Sequence, residues 1–144
     1  MQRAMSILAK HGLNLDNLVE AGFELYVHAT EDENTEDKRK RLKELLSIYL
    51  EDPNVWLLIA AASYLDELVS SNGSSPSTPS GDPASLVADE LIGMSIAEYI
   101  AGKKGLFNYV RYDREKPGAI GDLPPFMDDA VGALVAASMT RVFE

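Results

Sequence analysis

The chain contains no cysteine. That one absence excludes disulfides, cysteine-ligated zinc and a thiol nucleophile. Histidine is scarce too, with only His11 and His28, so any metal site has to be built chiefly from oxygen. Positive charge is in short supply: 13 Lys and Arg stand against 23 Asp and Glu, for a formal net charge of -10. A nucleic-acid partner is therefore disfavoured, because such binders carry a basic patch to neutralise phosphates. Long apolar runs are missing as well. The longest, Val55 to Ala62, falls far short of the roughly 20 residues a transmembrane helix needs. The start, Met1-Gln2-Arg3-Ala4-Met5, leads into no signal-peptide core. The expectation is a cytoplasmic protein without a transmembrane segment.

What is present is helical periodicity along most of the 144 residues, with few alternating runs. The length suits one domain, and a hydrophobic fraction of 46% is enough for a packed core. These features predict an all-α fold, a compact multihelical bundle of about six helices spanning 1–144 as a single domain. Asn14 is a plausible helix cap, followed by an apolar stripe of Leu15, Leu18, Val19, Phe23 and Tyr26. A second helix is expected from Thr35 to Glu51, with Leu42, Leu45, Leu46, Tyr49 and Leu50 facing inward. Its run Lys38-Arg39-Lys40-Arg41 reads as a solvated face in preference to a phosphate patch. Asp52-Pro53 opens a helix to about Val69 that is apolar nearly all round until Asp66, and burial of the whole helix is expected. A Ser-, Gly- and Pro-rich flexible connector follows at 70–82. Asp82-Pro83 starts a helix that Gly102 ends near Ala101, and 105–115 reads as a short mixed piece. Leu123-Pro124-Pro125 introduces a last helix to about Val142.

Two of these helices carry acids where apolar residues belong. In projection, Asp89 falls on the stripe of Leu86, Ile92, Gly93, Ile96 and Ile100, and Glu90 lies beside it. Neither has a basic residue one turn away, and a buried carboxylate must be neutralised by a shifted pKa, an ion pair or a metal. Asp128 and Asp129 sit in the first turn of the last helix, where they serve either as partners of the helix dipole or as metal ligands. Each acidic pair lies near a glycine, Gly93 or Gly132, that would let the two helices approach closely. Oxygen-only ligands suit Mg2+, with Mn2+ as the second choice. Between the pairs, Lys103, Lys104, Arg111, Arg114 and Lys116 are either ordinary loop charges or a cationic segment that meets a phosphate. His11 and His28 read as surface or packing residues.

Three motifs in order, Asp89-Glu90-Leu91-Ile92-Gly93-Met94, Tyr112-Asp113-Arg114-Glu115-Lys116-Pro117-Gly118 and Phe126-Met127-Asp128-Asp129-Ala130-Val131-Gly132, resemble the phosphatidylglycerophosphatase A family. The membrane-bound members carry transmembrane helices and a Gly/Thr-rich N-terminal motif, which this sequence lacks. The pattern is similar to the soluble branch, and within it Phe23 to Val27, Asp52-Pro53-Asn54 and Phe126 to Asp129 resemble archaeal α-ribazole-5′-phosphate phosphatases of cobalamin biosynthesis. The resemblance implies a magnesium-dependent phosphatase acting on a small phosphorylated substrate as a homo-oligomer. It further implies catalytic roles for Asp89, Glu90, Asp113, Lys116 and Asp129, and metal ligation by Asp89, Glu90, Asp128 and Asp129. Lys116 and Arg111 would hold the substrate phosphate. Phosphatidylglycerophosphate hydrolysis, or a helical binding module without activity, are the competing readings.

Overall fold

The computed structural model describes residues 2–26, 35–71 and 86–144. Among the described residues every regular element is helical. In chain order these are α1 (Gln2–Lys10), α2 (Leu15–Glu24), α3 (Thr35–Glu51), α4 (Pro53–Ser71), α5 (Ala88–Glu115), a 3-10 turn (Gly118–Asp122) and α6 (Pro125–Val142). His28, most of the 70–82 connector and Asp82-Pro83 lie outside the described residues, but Leu86 and Val87, expected inside the helix, precede it, because α5 begins at Ala88. α1 is an element that sequence periodicity did not announce.

Two expected helix starts hold at the atomic level. Asn14 and Asn17 form a reciprocal capping box, each side-chain oxygen accepting the other's backbone N–H at 2.9 Å. Asp52 accepts the Asn54 N–H at 2.9 Å, with Pro53 opening α4. The basic run of α3 is drawn onto α2, where Arg39 pairs with Glu20.

α6 runs through the centre. Phe126, Met127 and every residue from Asp129 to Met139 are buried, with α5 as the main neighbour and α2, α3 and α4 closing the other sides. Its small residues Gly132, Ala133, Ala136 and Ala137 suit a helix packed on all sides. That place was expected for α4, and the structure corrects it. α4 buries one stripe, Val55, Ile59, Ala62, Ser63 and Asp66, while Leu57, Tyr64 and Leu68 are exposed. A bundle this size has room for one central helix, and the bulkier α4 lies outside it.

α5 departs from expectation in a second way. Gly102 does break the helix (φ 63, ψ −150), a conformation open essentially to glycine alone, but the helix resumes at once and runs to Glu115. The two halves, 88–100 and 103–115, fold back on each other. A Cβ at Gly105 would lie 2.7 Å from the Ala97 carbonyl oxygen, and one at Gly93 would lie 2.3 Å from the Tyr109 hydroxyl. Gly105, Tyr109 and Tyr112 form the buried stripe that makes the second half a full helix. This hairpin carries the start of α5 back to its own end.

Candidate active site

The end of α5 is where the site begins. Lys116 adopts a left-handed backbone (φ 46, ψ 62) and its N–H donates to the Tyr112 carbonyl at 2.7 Å. Glycine is the usual residue there; Pro117 then prevents the helix from continuing. The reversal turns the Lys116 ammonium onto three carboxylates. Its Nζ lies 3.0 Å from Asp113 Oδ1, 3.0 Å from Asp128 Oδ2 and 3.6 Å from Asp129 Oδ1.

The first turn of α6 is fixed by a residue that the sequence did not single out. Asp66 of α4 reaches across the bundle, one carboxylate oxygen accepting the Phe126 N–H and the other the Met127 N–H, both at 2.8 Å. These are the orphan donors of a helix start, and Pro124 offers no side-chain cap for them. The capping role left open for Asp128 and Asp129 thus belongs to Asp66, and both acids are presented to a cleft. Asp66 occupies the last position of α4's buried stripe, and an acid at that spacing was the available signal.

Asp113, Asp128 and Asp129 each place a carboxylate oxygen within 4.8 Å of the others. Asp129 is only 2% exposed, and among the described residues its Oδ2 has no hydrogen-bond partner. Burial first, then hydrogen bonding to Asp113 and Asp128, pushes its carboxyl up to about 11. Burial also raises Asp128, partly offset by Asp129 and Lys116. For Asp113 burial is outweighed by hydrogen bonds to Asp129 and Lys116, and its pKa is lowered. Desolvation of Lys116 is outweighed by Asp113 and Asp128, so its ammonium holds its proton more tightly than usual.

Asp89 and Glu90, from the first turn of α5, line the same cleft outside that trio. Asp89 is 4% exposed, as its place on the apolar stripe required, and its Oδ1 accepts the Glu90 N–H at 2.9 Å. The cleft has a volume of about 590 Å3, and Arg114, Leu123 and Pro125 complete its lining. Gly93 brings α5 against α6 as expected, since a Cβ there would stand 3.0 Å from the Asp129 carbonyl oxygen. Gly132 does not: its nearest neighbour would be Ile120 Cγ2 at 3.9 Å. Tyr109, buried against Gly93 behind the cleft, is a neighbour of the site that the sequence did not reveal. Its hydroxyl has no partner among the described residues, and burial followed by Asp129 and Asp113 raises its pKa.

Arg111 is not brought to this cleft. Its guanidinium donates to the Leu25 carbonyl at 2.7 Å and ties α5 to the end of α2. Arg114 is the arginine at the cleft, while Lys103 and Lys104 are exposed near the α5 bend. His11 has a packing role, its Nε2 3.1 Å from Ser63 Oγ.

The donor set fits a hard divalent cation. All of its ligand atoms are carboxylate oxygens, one buried oxygen is unpartnered, and a single ammonium faces three acids. Of the acids expected at the site, Asp113, Asp128 and Asp129 converge most closely, and Asp89 and Glu90 line the same cleft beside them.

An all-helical bundle with a lysine-centred carboxylate cleft between its two most extensively packed helices, α5 and α6, is the class of protein these features define. The chain belongs to the phosphatidylglycerophosphatase A family, a phosphatase family whose sequence profile matches residues 19–144. An uncharacterized protein of Methanocaldococcus jannaschii is 40% identical over 130 residues, covering 88% of this chain and 100% of that protein. Two solved structures share the fold at 24% identity. The low temperature requirement C protein from Listeria monocytogenes matches with a TM-score of 0.78, over 99% of this chain and 93% of its own. A protein of unknown function from Bacillus stearothermophilus matches at 0.79, over 99% and 96%.

Proposed function

We propose that this protein is a Mg2+-dependent phosphomonoester hydrolase, with α-ribazole-5′-phosphate as its substrate. The observation that carries the reaction class is the convergence of Asp113, Asp128 and Asp129 on Lys116 inside one cleft. The substrate rests on the similarity of Phe23 to Val27, Asp52-Pro53-Asn54 and Phe126-Met127-Asp128-Asp129 to the soluble branch of the family.

Hydrolysis forms a bond from water oxygen to phosphorus and breaks the ester P–O bond, and the alcohol leaves with a proton. When bound, Mg2+ or Mn2+ held by Asp113, Asp128 and Asp129, with Asp89 and Glu90 alongside, supplies Lewis-acid polarisation of the phosphoryl group. Lys116, oriented by Asp113, offers an ammonium proton to a phosphoryl oxygen. Arg114 adds positive charge at the same cleft. A cleft carboxylate takes the proton of the attacking water. Leu123 and Pro125 add apolar surface to the lining of the cleft.

The test is phosphate release from α-ribazole-5′-phosphate and from phosphatidylglycerophosphate, with Mg2+ and with chelator. Faster release from the former, dependent on Mg2+ and lost in Asp89→Asn and Asp128→Asn with helicity intact, is expected. Full activity in Asp89→Asn, or in chelator, would sink the proposal. The second reading, supported by the family description, is hydrolysis of the lipid phosphate, and faster release from it would favour that.

A further inference from the structure

Beside the acidic cleft runs a groove of about 360 Å3 formed by the valley of the α5 hairpin. Met94 of the first half and Leu106, Phe107, Tyr109 and Val110 of the second half line it. Glu90 and Asp113 line both the groove and the cleft, so the two share a wall. Phe107 is 78% exposed, Val110 56% and Met94 38%. Single exposed apolar residues are ordinary on any surface, but here they are contiguous and open next to the residues that would hold a phosphate.

We propose that this groove is the subsite for a flat, uncharged aromatic part of the alcohol whose phosphate enters the cleft; the inference rests on the phosphatase reading above. In the cleft Lys116, Arg114 and a bound cation would all engage the phosphate, which leaves the rest of the alcohol to be positioned from outside the cleft. An ester held only by its phosphate would be oriented poorly, so a neutral apolar anchor one wall away supplies the missing alignment. A benzenoid ring system fits better than a pair of acyl chains. The volume lies at the small end of the roughly 300–1,000 Å3 of ligand pockets. The wall also presents the Phe107 ring, backed by the buried Tyr109, and the Met94 thioether, groups that pack well on a π face. Glu90 and Asp113 at the shared edge discriminate against a second anionic group on the alcohol.

Three esters of primary alcohols test this, because their leaving groups are chemically alike: ethyl phosphate, naphthylethyl phosphate and decyl phosphate. With Mg2+ present, kcat/KM for naphthylethyl phosphate should exceed that for ethyl phosphate by about tenfold or more, mainly through KM, corresponding to about 1.4 kcal/mol. That ratio should fall several-fold in Phe107→Ser and in Met94→Ser, whose side chains are exposed enough for the fold to tolerate the change. Naphthalene fluorescence reads binding independently of turnover. Binding that weakens in Phe107→Ser without phosphate release from any ester would overturn the phosphatase reading and keep the groove. An unchanged ratio and unchanged binding in both variants would overturn the groove, as would decyl phosphate being the best ester. Sedimentation of Phe107→Ser completes the test: a lower particle mass with the same ratio would make this face a contact between copies of the chain, and the subsite would be wrong.

Discussion

Asp66 shows how one side chain can set the geometry of a site it does not line. Its two oxygens satisfy the first free N–H groups of α6, two and one residues before Asp128. Asp66→Asn keeps one acceptor and turns an amide N–H toward the other donor, which should cost about 1–3 kcal/mol, measured by urea unfolding at pH 7. Burial raises the Asp66 carboxyl, the two backbone N–H groups and His11 lower it, Asp89 raises it, and the net direction is upward. The folded protein therefore holds this proton more tightly than the unfolded chain. The stability that Asp66 itself contributes should fall as pH rises from about 4 through its folded-state pKa, so the gap to Asp66→Asn should widen as pH falls toward 4. A gap that narrows instead would contradict the assignment. The cap was hard to read from sequence because its partners are backbone groups 60 and 61 residues away. Asp89 was legible because apolar stripe residues follow it for three turns, whereas Asp66 stands at the end of its stripe, where a helix commonly turns polar.

The glycines separate the two elements that carry the acids. At Gly93 an added methyl would collide with the Tyr109 ring and press on the Asp129 carbonyl, whereas at Gly132 it would meet only ordinary contact. Gly93→Ala should therefore destabilise by about 1–3 kcal/mol and lower kcat by displacing Asp129. Gly132→Ala should stabilise by about 0.5–1 kcal/mol through helix propensity. Both are read from denaturant midpoints, and equal effects would mean the α5–α6 approach has been misplaced. Gly102 acts through the hairpin. Its φ and ψ exclude a side chain, so Gly102→Ala should cost about 1–3 kcal/mol. Activity should fall further than stability alone explains, because Asp89 and Glu90 lie on one arm of α5 and Asp113 and Lys116 at the end of the other. Sequence marked Gly102 as a stop but not as a hinge. A stop signal says where backbone bonding is interrupted, and only packing decides whether the next turn resumes.

For the whole molecule, the excess of negative charge makes any cation mildly stabilising, so a specific site has to be distinguished from screening. The general plan of the chain was legible: helices around an acidic site, with α3 and the last helix near their expected ends. Which helix lies at the centre was not, because α4 and α6 are both rich in apolar residues and differ in the size of the side chains they offer their neighbours. Central placement of α6 buries Asp129 and the residues that follow it, so Asp128 and Asp129 cannot separate, and their repulsion is relieved by a proton on Asp129 or by a cation that replaces it. A native-state ligand saturating such a site at about 100 times its Kd adds about 2.7 kcal/mol, a rise in melting temperature of several degrees for a domain this size. At matched ionic strength, Mg2+ should therefore raise the melting temperature above the NaCl control in wild type, and Asp128→Asn should bring the two curves together. Coincident curves in wild type would show that the cluster is balanced by Lys116 and the proton on Asp129 and holds no cation.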